Sequence, residues 1–322
     1  MRGLFVRRLV AAGIALWAVA TLTFVLINLA PGGPAIALAG EHGARGQIEE
    51  VTRAHGLDRP MVLRYLDHMA RLATGDLGHS YRAGAPVRSL VAAALPVSLA
   101  LLVPAILLSA LAGAALGLAT AGLGRAGAGL FTGLMAAAHA LPVHVVAQGL
   151  VLVLAVRLGL LPVQGLTDPR QALSGWAAAV DLVRHLVLPV TALALHHVTF
   201  MALMTRSRLA LELARPYAVT ARAKGLSRGR TRLRHALPNA LLPIVTLSGQ
   251  RLGGLLGGVV IVETVFALPG LGRLAVSATL ARDHPVVIGA VLVACAIVIL
   301  GNLLADLMVA RLDPRAAGTP PP

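Results

Sequence analysis

The chain has 322 residues, 57% of them hydrophobic and 13% charged, with mean hydropathy +0.81, which is far more apolar than a soluble globular domain. Its formal net charge of +15 must be read by position, because Arg and Lys gather in the short cytoplasmic loops of membrane proteins. Cys295 is the single cysteine, so neither an intramolecular disulfide nor a multi-cysteine metal site is available.

In chain order, six segments approach the roughly 20 apolar residues a helix needs to cross a hydrocarbon core about 30 Å thick. The first, 9–30, is uncharged and follows Arg2, Arg7 and Arg8. Ala37-Leu38-Ala39 mimics a signal-peptide cleavage site, but the apolar run exceeds the roughly 7–15 residues of a signal's apolar region. An uncleaved anchor, 1–30, is therefore expected. Residues 31–94 follow as an extracytoplasmic insertion in which acids and arginines are mixed. Within it, Met61, Tyr65, Leu66, Met69 and Leu72 recur at helical spacing, which predicts short amphipathic helices over the outer membrane surface or the bundle.

A core of 95–315 supplies the other segments, at about 95–121, 130–156, 186–205, 240–262 and 285–309, before a short tail, 316–322, expected to be disordered. GLGRAG at 122–127 has the letters of a dinucleotide fingerprint. It follows an apolar helix instead of a strand, so it reads as a tight turn. The N-terminal arginines, Arg125, the basic stretch at 206–234, and Arg311 with Arg315 all fall on one side of the membrane. The positive-inside rule makes that side, and both termini, cytoplasmic.

Several polar residues interrupt the apolar segments. Arg251 lies about 13 residues past Pro238, roughly 20 Å along a helix, where a charge is costly unless it faces a pore or an acid. A translocation path attracting an anionic group is one reading; a pair with Asp306 or with a partner's acid is the other. His139, His144, His196 and His197 lack the clustering of metal ligands and read as packed or pore-lining, with His144 placed beside Arg251 on the path. Gly253, Gly254, Gly257 and Gly258 form two overlapping GxxxG spacings that suit close helix packing, here against a partner subunit.

The region 206–238 is the most informative. It carries Arg206, Arg208, Arg215, Arg222, Lys224, Arg228, Arg230, Arg232 and Arg234 against one acid, Glu212. Nucleic-acid binding is disfavoured because no separate domain or interleaved aromatics accompany the charge. A helix-compatible stretch ends at Gly225, a second runs over about 228–236, and Pro238 opens an apolar segment. Two short helices joined by a Gly225 turn could insert as a knob into another protein's groove. No glycine-rich phosphate loop accompanies Lys224, the only lysine, so any nucleotide must bind another subunit.

YAVTARAKGL followed by RLRHALPNALLPIVT resembles the cytoplasmic coupling loop of ABC importer permeases, with nine residues between Gly225 and His235. Where that family has Glu-Ala-Ala, this chain has Val219-Thr220-Ala221, a departure usual in the dipeptide, oligopeptide and nickel branch. PGGP at 31–34, GLDRP at 56–60, GDLGHS at 75–80, LPVQG at 161–165 and MTRSRL at 204–209 are similar to that branch. So are ETVFALPGLG at 263–272, DHPVV at 283–287, NLLADL at 302–307 and LDPR at 312–315.

The resemblance implies an all-α membrane protein with about six transmembrane helices and the type I ABC importer permease fold, in a bacterial or archaeal plasma membrane. It implies a homologous second permease, two ATPase subunits holding ATP and Mg, and an external substrate-binding protein docked in part by 41–90. This chain itself would hold no cofactor or metal and perform no bond chemistry. Tyr217, Thr220, Ala221, Ala223, Lys224, Gly225, Leu226, Leu237 and Pro238 would form the coupling contact. Glu263, Pro269, Gly270 and Gly272 would shape the external gate. The rival reading, a stand-alone secondary transporter or channel, would show an internal repeat and a paired charge relay.

Overall fold

A computed structural model describes residues 2–29, 46, 49, 52–53, 58–168, 170 and 173–312. The expectations for PGGP at 31–34, for most of 35–57, for Arg315 and for the tail at 316–322 lie outside the described residues. Helices dominate, and one isolated antiparallel bridge pairs His79 with Pro86.

Four helices are long and apolar enough to span a membrane: α1 (Arg2–Leu29), α3 (Val87–Thr120), α6 (Gly175–Leu213) and α12 (His284–Leu312). Between α1 and α3 lies the amphipathic α2 (Met61–Ala73). A fifth span is supplied if α4 (Arg125–Ala140) and α5 (Val143–Leu150), which continues as π-helical turns over Val151–Arg157, count together. They are bent by 92°. The segment expected at 130–156 is thus a bent pair of helices. Leu141 and Pro142 are extended at the bend, because proline drives the residue before it out of the helical region.

After α6 come α7 (Pro216–Ala223), α8 (Arg228–Thr231), a π-helical turn over Arg232–Ala236, and α9 (Leu237–Gln250). The expected segment at 240–262 is interrupted at Arg251, which separates α9 from α10 (Leu252–Val265). α11 (Leu271–Leu280) precedes α12. The expected segment at 186–205 is only the apolar part of α6. Hydropathy falls at Arg206, but Arg, Leu and Glu remain good helix formers and carry the helix on to Leu213. Likewise α3 begins at Val87 instead of near residue 95.

The chain divides into two compact units, 1–98 with 269–300 and 99–268 with 301–322. In the first, α2 docks on α1. The Phe24 ring meets Tyr65 edge-on at 5.5 Å and stacks on His68 at 5.3 Å, while Arg64 donates to Asn28 Oδ1 at 2.5 Å. The opposite side of α2 leaves Val62, Leu63 and Leu66 exposed, as an interfacial helix would. Val87, Val91, Leu271, Ala278, Val286 and Ala290 form this unit's buried cluster. Asp283, buried at 4% exposure, accepts from Ser80 Oγ and from the Tyr81 and Arg82 amides at 3.0 and 3.3 Å.

In the second unit α6 is the central column, with α4, α5, α9 and α10 packed on it. Gly113 and Gly117 let α3 lie directly against it. A Cβ at 117 would stand 2.6 Å from Thr205 Cβ and 2.8 Å from Ala202 O. Close approach through small residues is how apolar helices associate where burial from water supplies no drive.

Candidate functional site: a coupling knob and a cationic cavity

The knob is built on the end of α6. Pro216 occupies the first position of α7, where its missing N–H costs nothing and its fixed φ favours the helix. α7 closes with Leu226 N donating to Ala221 O at 3.2 Å and Gly225 N to Arg222 O at 2.9 Å, and Gly225 adopts φ +88. This paired closure requires a left-handed residue, which glycine supplies without penalty. Ser227 then caps α8, accepting from the Arg230 amide at 3.4 Å.

Ala218 and Ala221 are buried, whereas Tyr217, Thr220, Ala223, Lys224 and Gly225 are exposed and Leu226 half-buried. Ala221 thus packs inward and holds the knob, and the outward surface is formed by its neighbours. Leu237 packs beside the buried Leu209, Ala236 and Ala240, and Pro238 is exposed. Pro238 opens no separate helix, because the chain is helical from Arg228 to Gln250. The wide turn over Arg232–Ala236 precedes the residue that cannot donate a backbone bond.

The basic residues split by role. Arg206 donates to Thr120 O at 3.2 Å and Thr132 Oγ1 at 3.3 Å, Arg215 pairs with Glu212 at 3.1 Å, and Arg222 donates to Leu213 O at 3.3 Å. Arg208, Lys224, Arg228, Arg230 and Arg234 are exposed and available to a partner. Tyr217 donates to Glu212 Oε2 at 2.7 Å and accepts from Asn239 Nδ2 at 3.2 Å, tying α7 to the ends of α6 and α9. Partial burial and the bond to Glu212 hold the Tyr217 phenol above its ordinary range.

A cavity of about 510 Å³ opens beside α10. Arg251, His196 and His197 line it with Gly254, Gly257 and Ile261. Val143 also lines it, whereas its neighbour His144 is exposed and outside the lining. Arg251 stacks on Phe200, its guanidinium carbon 3.6 Å from the ring centroid, and makes no ion pair with Asp306. The His139 and His196 rings stack at 4.1 Å, and His139 Nδ1 lies 3.0 Å from Thr199 Oγ1. Among the described residues no group of three or more His, Cys, Asp or Glu is placed to hold a metal ion. Phe200 escaped notice in the sequence because one aromatic in an apolar helix carries no local signal.

At the expected gate, Glu263 is fully buried and is not a surface group. α10 ends with Leu268 N donating to Glu263 O at 2.8 Å and with Ala267 at φ +53. Phe266 O accepts from Gly165 N at 2.9 Å, fastening the 161–165 loop to the end of α10. Separately, Pro269 is exposed and Gly270 is the N-cap of α11, whose second residue is Gly272; Leu271 N donates to Ser98 Oγ at 2.8 Å.

These features define an all-α, multi-pass membrane protein. Residues 105–318 match the binding-protein-dependent transport system inner membrane component family, and residues 1–102 match its N-terminal membrane component. The chain belongs to that family and is the permease subunit of an ABC importer, a transport component and not an enzyme. A Brucella abortus (strain 2308) protein described as a peptide transport system permease is 36% identical over 318 residues, covering 98% of this chain and 99% of its own. The oligopeptide transport system permease protein AppB of Bacillus subtilis (strain 168) is 32% identical over 319 residues, covering 98% and 99%. The dipeptide transport system permease protein DppB of Escherichia coli (strain K12) is 33% identical over 316 residues, covering 91% and 92%.

Proposed function

We propose that this permease imports peptides or similar small solutes delivered by an external binding protein, in a heterodimer with a homologous permease and with two cytoplasmic ATPase subunits. ATP and Mg²⁺ sit on the ATPases, and both termini of this chain face the cytoplasm. ATPase closure moves the knob of α7, Gly225 and α8. The 39-residue α6, continuous with the knob's base, carries that motion into the membrane and biases the helices between two arrangements. Residues within 41–90 help to dock the binding protein, and the path passes the Arg251 cavity.

The observation that carries this reading is the capped, outward-facing knob, closed by its own backbone hydrogen bonds and surrounded by exposed cations. Co-expression with its partners tests it: ATPases should co-purify, and uptake into proteoliposomes should require both ATP and the binding protein. Uptake by the isolated chain would instead support a secondary transporter or channel.

A further inference from the structure

We propose that the cavity beside α10 is an anion subsite that receives the terminal carboxylate of the transported peptide, with Arg251 as its principal ligand and His197 as a second donor. This deepens the import reading and rests on it. Four observations converge on one place.

Arg251 is an arginine within an apolar stretch, yet it has no ion-pair partner among the described residues. Phe200 covers one face of its guanidinium, the arrangement that leaves the in-plane N–H edge open. That edge matches a planar carboxylate bidentately. His197 is 7% exposed, lines the cavity, and makes no hydrogen bond among the described residues. Beside it in the lining, His196 Nδ1 is buried with no hydrogen-bond partner among the described residues, a cost that a ligand would relieve.

The remaining wall is apolar or bare. Leu193 and Ile261 supply apolar surface, and a Cβ placed at Gly254 or Gly257 would meet nothing within 4 Å. The backbone there is uncovered by this chain. Arg251 also marks the break between α9, which ends at Gln250, and α10, so the side chain stands at a helix interruption. Broken membrane helices whose N-terminal ends face an anionic group are a recurrent means of holding solutes in a bilayer.

Uptake of trialanine and of trialanine amide by the reconstituted complex tests the assignment. The binding protein is the same throughout, so a change in the acid-to-amide ratio between variants belongs to the permease. Arg251→Gln should lower that ratio at least tenfold. Arg251→Lys, which keeps the charge but loses the fork, should lower it severalfold, and it provides the readout if the glutamine variant fails to assemble. A ratio within twofold of wild type in an assembled complex, for either variant, overturns the subsite and leaves the import reading standing. No trialanine uptake by the wild-type complex overturns the peptide reading and the carboxylate assignment together.

Discussion

Replacing Gly225 separates backbone geometry from side-chain bulk. With φ at +88, residue 225 sits where an L side chain is strained by about 1–2 kcal/mol, and a Cβ there would meet no atom of this chain within 4 Å. The cost is therefore conformational and not steric. It corresponds to roughly a 5–30-fold loss in the population of the closed turn. Asparagine tolerates the left-handed region, alanine less so, and a β-branched residue is an outlier there. ATP-dependent uptake by the full complex should accordingly fall in the order Gly225, Gly225→Asn, Gly225→Ala, Gly225→Val. The valine variant should lose at least tenfold in solute moved per ATP hydrolysed, while its amount in the membrane is unchanged. Wild-type uptake by Gly225→Val would refute the role given to this turn. If Gly225→Asn were as damaging as Gly225→Val, bulk against a partner would decide the outcome instead of handedness.

Gly117→Val should force α3 away from α6, because the new Cβ would crowd Thr205 and two backbone atoms; a loss of about 1–3 kcal/mol is expected, read as a lower thermal midpoint in detergent. Asp283→Asn removes the charge on an acceptor of three donors and should cost about 1.5–3 kcal/mol, read as faster proteolysis at 79–83. Tyr217→Phe deletes a hydrogen bond at a partly exposed site and should cost about 1 kcal/mol, with a modest loss of uptake. The raised phenol pKa fixes its pH behaviour. The contact's contribution is fully present below the unfolded value of about 10 and is lost only as pH rises through the higher folded value. Uptake should therefore show no titration of Tyr217 between about pH 6 and 9.

Much of this fold can be read from hydropathy and punctuation. The long apolar runs mark α1, α3 and α12, and Gly225 marks the turn of the knob. Straightness is what hydropathy cannot report. The run at 130–156 is uniformly apolar, yet its Leu141-Pro142 step turns the helix by 92°. Proline was the available signal there, and its effect on the preceding residue was decisive. The run at 240–262 is broken at Arg251, the same residue that its charge had already set apart. Hydropathy also mistook the end of the apolar stretch at Thr205 for the end of a helix that continues to Leu213. Inward and outward residues of the knob were not separable by composition, since Ala221 is buried and Ala223 exposed within two positions of each other. The cavity joins His197 of α6 to Arg251 between α9 and α10, a long-range meeting that no local pattern encodes.

The central claim, that the knob seats in the ATPase subunits, is tested most directly by cross-linking from single cysteines in a Cys295→Ser background. Thr220→Cys and Ala223→Cys, both exposed on α7, should form nucleotide-dependent cross-links to an ATPase subunit, and the buried Ala218→Cys should not. A complex that transports solute but gives no cross-link from 220 or 223, or equal cross-linking from 218, would contradict the account.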